Sequence, residues 1–162
     1  MYRLLTLFVG LGLVFSAVSC TSHKKAKNYN KYLDTAKPIW EKFMKEDKEF
    51  VTWMSGYTKE KHDDYKKKVN EFITRIEGRI KEIENIEIKD DDVKIFKKLN
   101  VQAMGHVVEV YKEVKRVLEA GGKPDYSEKI KTLYGSFKTT HEEFFKERGK
   151  YFKKYNLKDR KE

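Results

Sequence analysis

Cysteine occurs once in this chain of 162 residues, at Cys20, and proline only at Pro38 and Pro124. One cysteine cannot build a disulfide framework. Two prolines, and no alternating runs rich in valine and threonine, leave little in favour of β-structure. Arginine is scarce beside lysine, which suits a solvated surface better than bidentate recognition of phosphate or carboxylate. A glycine-rich phosphate loop, a G-x-S-x-G elbow and an H-E-x-x-H helix are all missing, and with them the usual signatures of phosphoryl transfer and hydrolysis. Glu142 and Glu143 follow His141 directly. Adjacent helical residues point in different directions, so these three make no acid–base pair. The chain reads as a non-enzyme.

Charge and aromatic surface are both plentiful. Charged residues make up 38% of the chain and aromatics 14%, and the formal net charge is +10. So many Phe, Tyr, Trp and Ile residues offset the entropy of ordering a chain this polar, and a folded domain is expected. Beyond the N-terminal segment about 140 residues remain, one ordinary domain. A pI near 9.4 would ordinarily suggest nucleic acid. The N-terminus argues against that partner.

Met1 to Cys20 reads MYRLLTLFVGLGLVFSAVSC. One charge, Arg3, precedes an apolar run of about 15 residues, shorter than the ~20 that span a bilayer and matching the n- and h-regions of a secretory signal. Ala17 and Ser19 then stand three and one positions before Cys20. This ending resembles the lipobox of bacterial lipoproteins. The resemblance implies cleavage after residue 19, diacylglycerol on the Cys20 thiol and an acylated new amino terminus, palmitate-type chains that hold the protein to a membrane. Two or more such chains anchor durably, at about 0.8 kcal/mol per buried methylene. An acylated Cys20 would exclude thiolate catalysis and cysteine-ligated zinc. Thr21 is not the acidic residue that retains many lipoproteins at an inner membrane, which points to the outer one.

Residues 20–33, with TSHKKAKNYNK at their centre, read as an acylated cysteine and a flexible polar tether. Lys24, Lys25 and Lys27 could touch anionic headgroups from it. The folded domain is expected over 34–156, with a charged tail at 157–162. A first helix is expected from about Thr35 to Met54, with Asp34 as N-cap and Pro38 in the first turn. Its apolar stripe is Leu33, Ala36, Trp40, Phe43, Phe50 and Met54, with Asp47 the one charged member. A second helix follows from about Thr58 to Ile86, with near-heptad Tyr65, Val69, Phe72 or Ile73, Ile76, Ile80 and Ile83. Glu71 with Arg75 is an expected surface pair on it. Asp90, Asp91 and Asp92 sit where the dipole of a third helix favours acids. They lack the spacing, bend glycine and distal Glu of a calcium loop. That helix ends at Gly121-Gly122. A capping box at Asp125-x-x-Glu128 opens the fourth. Short connections force antiparallel neighbours, so the expected fold is all-α: an antiparallel up-down-up-down four-helix bundle behind a cleaved N-terminal signal.

Two groups of residues are candidate sites. Counting back from the turns places His106 and His141 at similar heights, with Trp40 and Phe72 near that level. Facing histidines in a bundle can hold a metal or haem iron. Di-metal bundles use Glu-x-x-His, yet Ala103 and Lys138 occupy the Glu positions here. No metal or cofactor is therefore expected. The second candidate is the mixed basic and aromatic run Lys146, Lys150, Tyr151, Lys153, Lys154 and Tyr155. In an exported protein such a face would meet a sulfated, anionic glycan, anionic lipid or an acidic protein surface, not nucleic acid; the plainer expectation is that its aromatics are core and its lysines solvated. The resulting expectation is a lipid-anchored envelope protein that binds rather than catalyses, such as a surface adhesin or an envelope accessory protein. A periplasmic small-ligand, haem or metal carrier, or a structural subunit of a larger helical assembly, are the alternatives.

Overall fold

The computed structural model describes residues 20–125 and 127–157; residues 1–19, on which the expected signal falls, Tyr126 and residues 158–162 lie outside them. Four helices carry the fold: α1 (Cys20–Ser55), α2 (His62–Glu84), α3 (Asp91–Glu119) and α4 (Glu128–Lys154). A single 3-10 turn, Lys59–Lys61, leads into α2. The helices run up, down, up and down, and no strand is present among the described residues. The chain is an antiparallel four-helix bundle. Along its length α3 packs against α2 on one side and α4 on the other, and α1 lies on α2 and α3. Between α1 and α4 the gap is bridged by large side chains: Trp40 stacks on Phe137 and His141, and Tyr29 meets Tyr151 and Phe152.

The core is aromatic at every level. Near the Cys20 end Tyr29, Phe96, Phe144 and Tyr151 meet edge to face, and Trp40 with Phe43 fills the middle. Towards the other end Phe50 stacks on Tyr111, and Trp53 on Tyr65. Each such ring, fully buried, stabilises by about 2 kcal/mol, and ring pairs add about 1 kcal/mol.

The tether expected over 20–33 is instead helix. The three-and-four spacing of the α1 stripe continues backwards from Ala36 through Leu33, Tyr32 and Tyr29, all buried, and Ser22 is buried as well. Asp34 is therefore not an N-cap. Pro38 stands in mid-helix rather than in a first turn. It cannot donate to the Asp34 carbonyl, a loss of about 3 kcal/mol in a helix interior. Its place on the exposed side lets water satisfy that carbonyl, and the aromatics on the opposite side hold the helix through.

The helix ends follow local chemistry. Asp90 caps α3 by accepting from the Asp92 amide at 3.1 Å. Gly121 ends α3 with φ 77°, and the Gly122 amide donates to the Val117 carbonyl at 2.9 Å. At α4 the cap is Ser127, whose Oγ accepts from the Ile130 amide at 3.4 Å, not the expected Asp125. A serine cap does for the Ile130 amide what Asp125 would have done for that of Glu128, two residues further on. Leu157, assigned to the tail on sequence, is held by its amide on the Phe152 carbonyl at 2.9 Å and packs on the core. Arg75 turns away from Glu71 to reach Glu49 of α1 at 3.2 Å.

Candidate functional site

At the Cys20 end α1, α3 and α4 are tied by one charge network. Lys25 Nζ lies 2.7 Å from Asp90 Oδ1 and 2.6 Å from Asp92 Oδ2. Asn28 donates to the other Asp90 oxygen at 2.9 Å. Asp92 also accepts from the Tyr155 hydroxyl at 2.6 Å and from Lys154 at 2.9 Å. Tyr151, buried against Tyr29, donates to the Lys25 carbonyl at 2.8 Å. Hydrogen bonds from Lys25, Tyr155 and Lys154 hold the Asp92 carboxyl well below its ordinary value. Burial pushes Asp90 up, but Lys25 and Asn28 outweigh it and the net displacement is downward. Burial likewise pulls Lys25 down, while the two aspartates more than compensate and raise it. Every one of these charges is answered within the network.

Around it stand cations that are not answered. Lys24, Lys27, Lys89 and Lys153 are exposed and form no ion pair among the described residues. The basic and aromatic run on α4 is thus divided by the fold. Tyr151 is core, Tyr155 and Lys154 belong to the network, and Lys150 pairs with Glu147 at 2.5 Å. Lys146 and Lys153 alone of that run point free charge outward.

His141 lies level with Trp40 as expected, 5.7 Å away centroid to centroid and nearly parallel to it. Phe137 stacks on it at 5.9 Å, Phe145 meets it edge-on at 5.0 Å, and burial lowers its pKa. His106 is half-buried on α3. Phe72 is not at this level; it packs with Phe50, Trp53 and Tyr111 nearer the α1–α2 turn. The second helix, expected from about Thr58, begins only at His62 after the 3-10 turn Lys59–Lys61, so Phe72 falls nearer that turn than counted. Among the described residues no group of three or more His, Cys, Asp or Glu side chains is placed to hold a metal ion.

Asp47, the charged member of the α1 stripe, is half-buried and takes two hydroxyls on one oxygen, from Tyr111 at 3.0 Å and Tyr134 at 3.3 Å. Burial pushes its carboxyl up to about 6 against the pull of those hydroxyls. Near the far end buried Glu113 pairs with Arg116 and Lys129, both at 2.6 Å, which hold it down at about 2.

Sequence reasoning missed Lys25 and Asn28 as members of an interior network. Tyr29 and Tyr32 extend the α1 stripe and so signal that the helix runs back past both, but not which acids Lys25 and Asn28 meet. Compared with protein-family models, with curated proteins and with solved structures, the chain matches none.

Proposed function

We propose that this protein is a lipid-anchored component of the cell envelope that acts by binding a partner and not by catalysis. The observation that carries the reading is the sequence Met1 to Cys20: one charge, a short apolar run, small residues and then the chain's lone cysteine. Acyl chains on Cys20 hold the domain at a membrane, in this reading the outer one. None of the described helices is long and apolar enough to cross a membrane. The bundle is a stable carrier of surface, with its aromatics turned inward and its lysines outward. A protein or an anionic glycan is the class of partner such a surface suits, as for an adhesin or an envelope accessory protein.

Replacing Cys20 with Ser tests the anchor. The native protein should partition with membranes and carry the added mass of acyl chains, and the variant should lose that mass. An unmodified Cys20 in the native protein would overturn the reading. Protease treatment of intact and lysed cells then reports which side of the outer membrane the bundle faces.

A further inference from the structure

We infer that the Cys20 end of the bundle is a membrane-docking surface that sits directly on anionic lipid headgroups, so that the domain stands end-on without a flexible spacer. The inference rests on the lipid-anchor reading and adds the orientation and the lipid class. Helix α1 already includes Cys20, the first described residue, and the turns that follow it are fastened to α3 and α4 through Lys25, Asp90, Asp92 and Lys154. Position 20 is therefore joined to the bundle by unbroken helix, with no non-helical spacer between them.

The dimensions agree. At 1.5 Å per residue Lys24 lies about 6 Å from Cys20 along the helix axis, Lys25 about 8 Å and Lys27 about 10 Å. The headgroup layer outside the hydrocarbon core is roughly 5–8 Å deep. Acyl chains entering at Cys20 thus place Lys24 within the headgroups and Lys27 at their outer edge. Lys25 marks the level of Asp90, Asp92 and Lys154, so Lys89 and Lys153, their sequence neighbours, come to the same height. Their four-carbon stems let the ammonium groups reach down to phosphate.

The charge is available as well as near. Asp90 and Asp92 are occupied by Lys25 and Lys154, and exposed Asp91 pairs with Lys94. Among the described residues Glu84 and Glu87, on and just after the last turn of α2, are the opposing acids, and the four lysines without an ion pair there outweigh them. Each lysine near an anionic surface strengthens attachment by about fivefold, an effect that salt screens. Standing end-on, the bundle would hold its α1–α2 turn about 54 Å from Cys20, clear of the headgroups.

The test uses the acylated protein purified from membranes in detergent and reconstituted into vesicles of phosphatidylcholine, alone or mixed with phosphatidylglycerol. A fluorophore is attached through Asp91→Cys at the Cys20 end or, separately, through Lys123→Cys at the far end, the acylated Cys20 being unreactive. A nitroxide-headgroup lipid serves as quencher. In anionic vesicles the label at position 91 should be quenched severalfold more than that at 123. The difference should shrink with added salt and with Lys24→Glu, Lys27→Glu and Lys153→Glu combined, circular dichroism confirming that this variant remains helical. Equal quenching of the two labels on vesicle-bound protein would overturn the inference and leave the anchor intact. So would quenching indifferent to vesicle charge and to the three reversals. A protein whose mass shows an unmodified Cys20 and which stays in solution would overturn both.

Discussion

The ammonium of Lys25 lies 2.7 Å from the carboxylate of Asp90, a residue 65 positions along the chain that is also the N-cap of α3. One side chain therefore starts one helix and holds the start of another. Because Asp92 joins the same ammonium to Lys154 and Tyr155, the first turns of α1 gain the stability of the bundle, which a free polar segment of that composition would lack.

Removing Asp90 should loosen that end first. Asp90→Ala takes away the cap of α3 and leaves Lys25 with Asp92 alone, a combined loss of about 2 kcal/mol. Amide hydrogen exchange over residues 21–30 should accelerate much more than over Phe50 to Met54. Uniform acceleration through α1 would show that the network does not hold the N-terminal turns locally.

Tyr32 offers a second probe of the same segment. The buried amide of Asn100 donates to its hydroxyl at 2.6 Å, so Tyr32→Phe leaves a buried donor without an acceptor. The expected loss is about 1–2 kcal/mol, read from urea denaturation. A change within a few tenths of a kcal/mol, as for a residue in a flexible linker, would contradict the packing of residues 20–33.

Helix number, direction and most of the core were legible because period and punctuation agreed. The stripes of α2 and α3, the Gly121 stop and the acids at the start of α3 are local signals, and local signals survive folding. Pro38 misled because proline after an acidic residue resembles a helix start; only the buried Tyr29 and Tyr32 beyond it show that the helix passes through. The Lys25 network was not legible, since nothing local pairs a lysine with acids on a helix far along the chain. Asp47 was intermediate. Its place on an apolar stripe marked it as unusual, but its tyrosine partners come from α3 and α4 and depend on register.

Gly78 lies inside α2, where a Cβ would meet nothing within 4 Å. Gly78→Ala should therefore add about 1 kcal/mol through backbone entropy alone, raising the melting temperature by about 3 °C. Gly122→Ala should act oppositely, because its Cβ would fall 2.9 Å from the Val117 side chain and 3.1 Å from the Val117 carbonyl. A stabilised Gly122→Ala would mean that the end of α3 can shift to make room.

The Asp47 carboxyl titrates near pH 6 in the fold, against an ordinary value of 3.8. Its folded-state value is the higher one, so the native state binds the proton more tightly than the unfolded chain does. The contribution of Asp47 to stability is therefore fullest below about pH 4 and is lost as pH rises through about 6. The interval corresponds to at most about 3 kcal/mol. Asp90, Asp92 and Glu113 have the opposite sign: lowered in the fold, they stabilise at neutral pH and lose that contribution in acid. All three are present in Asp47→Asn, so they cancel when the variant is compared with the native protein at each pH. The asparagine keeps an oxygen for Tyr111 and Tyr134 but cannot ionise. Urea denaturation at successive pH values should find the two proteins close in stability near pH 4. The variant should gain progressively up to about pH 7, by no more than about 3 kcal/mol. A difference independent of pH would show that Asp47 ionises in the fold at its ordinary value.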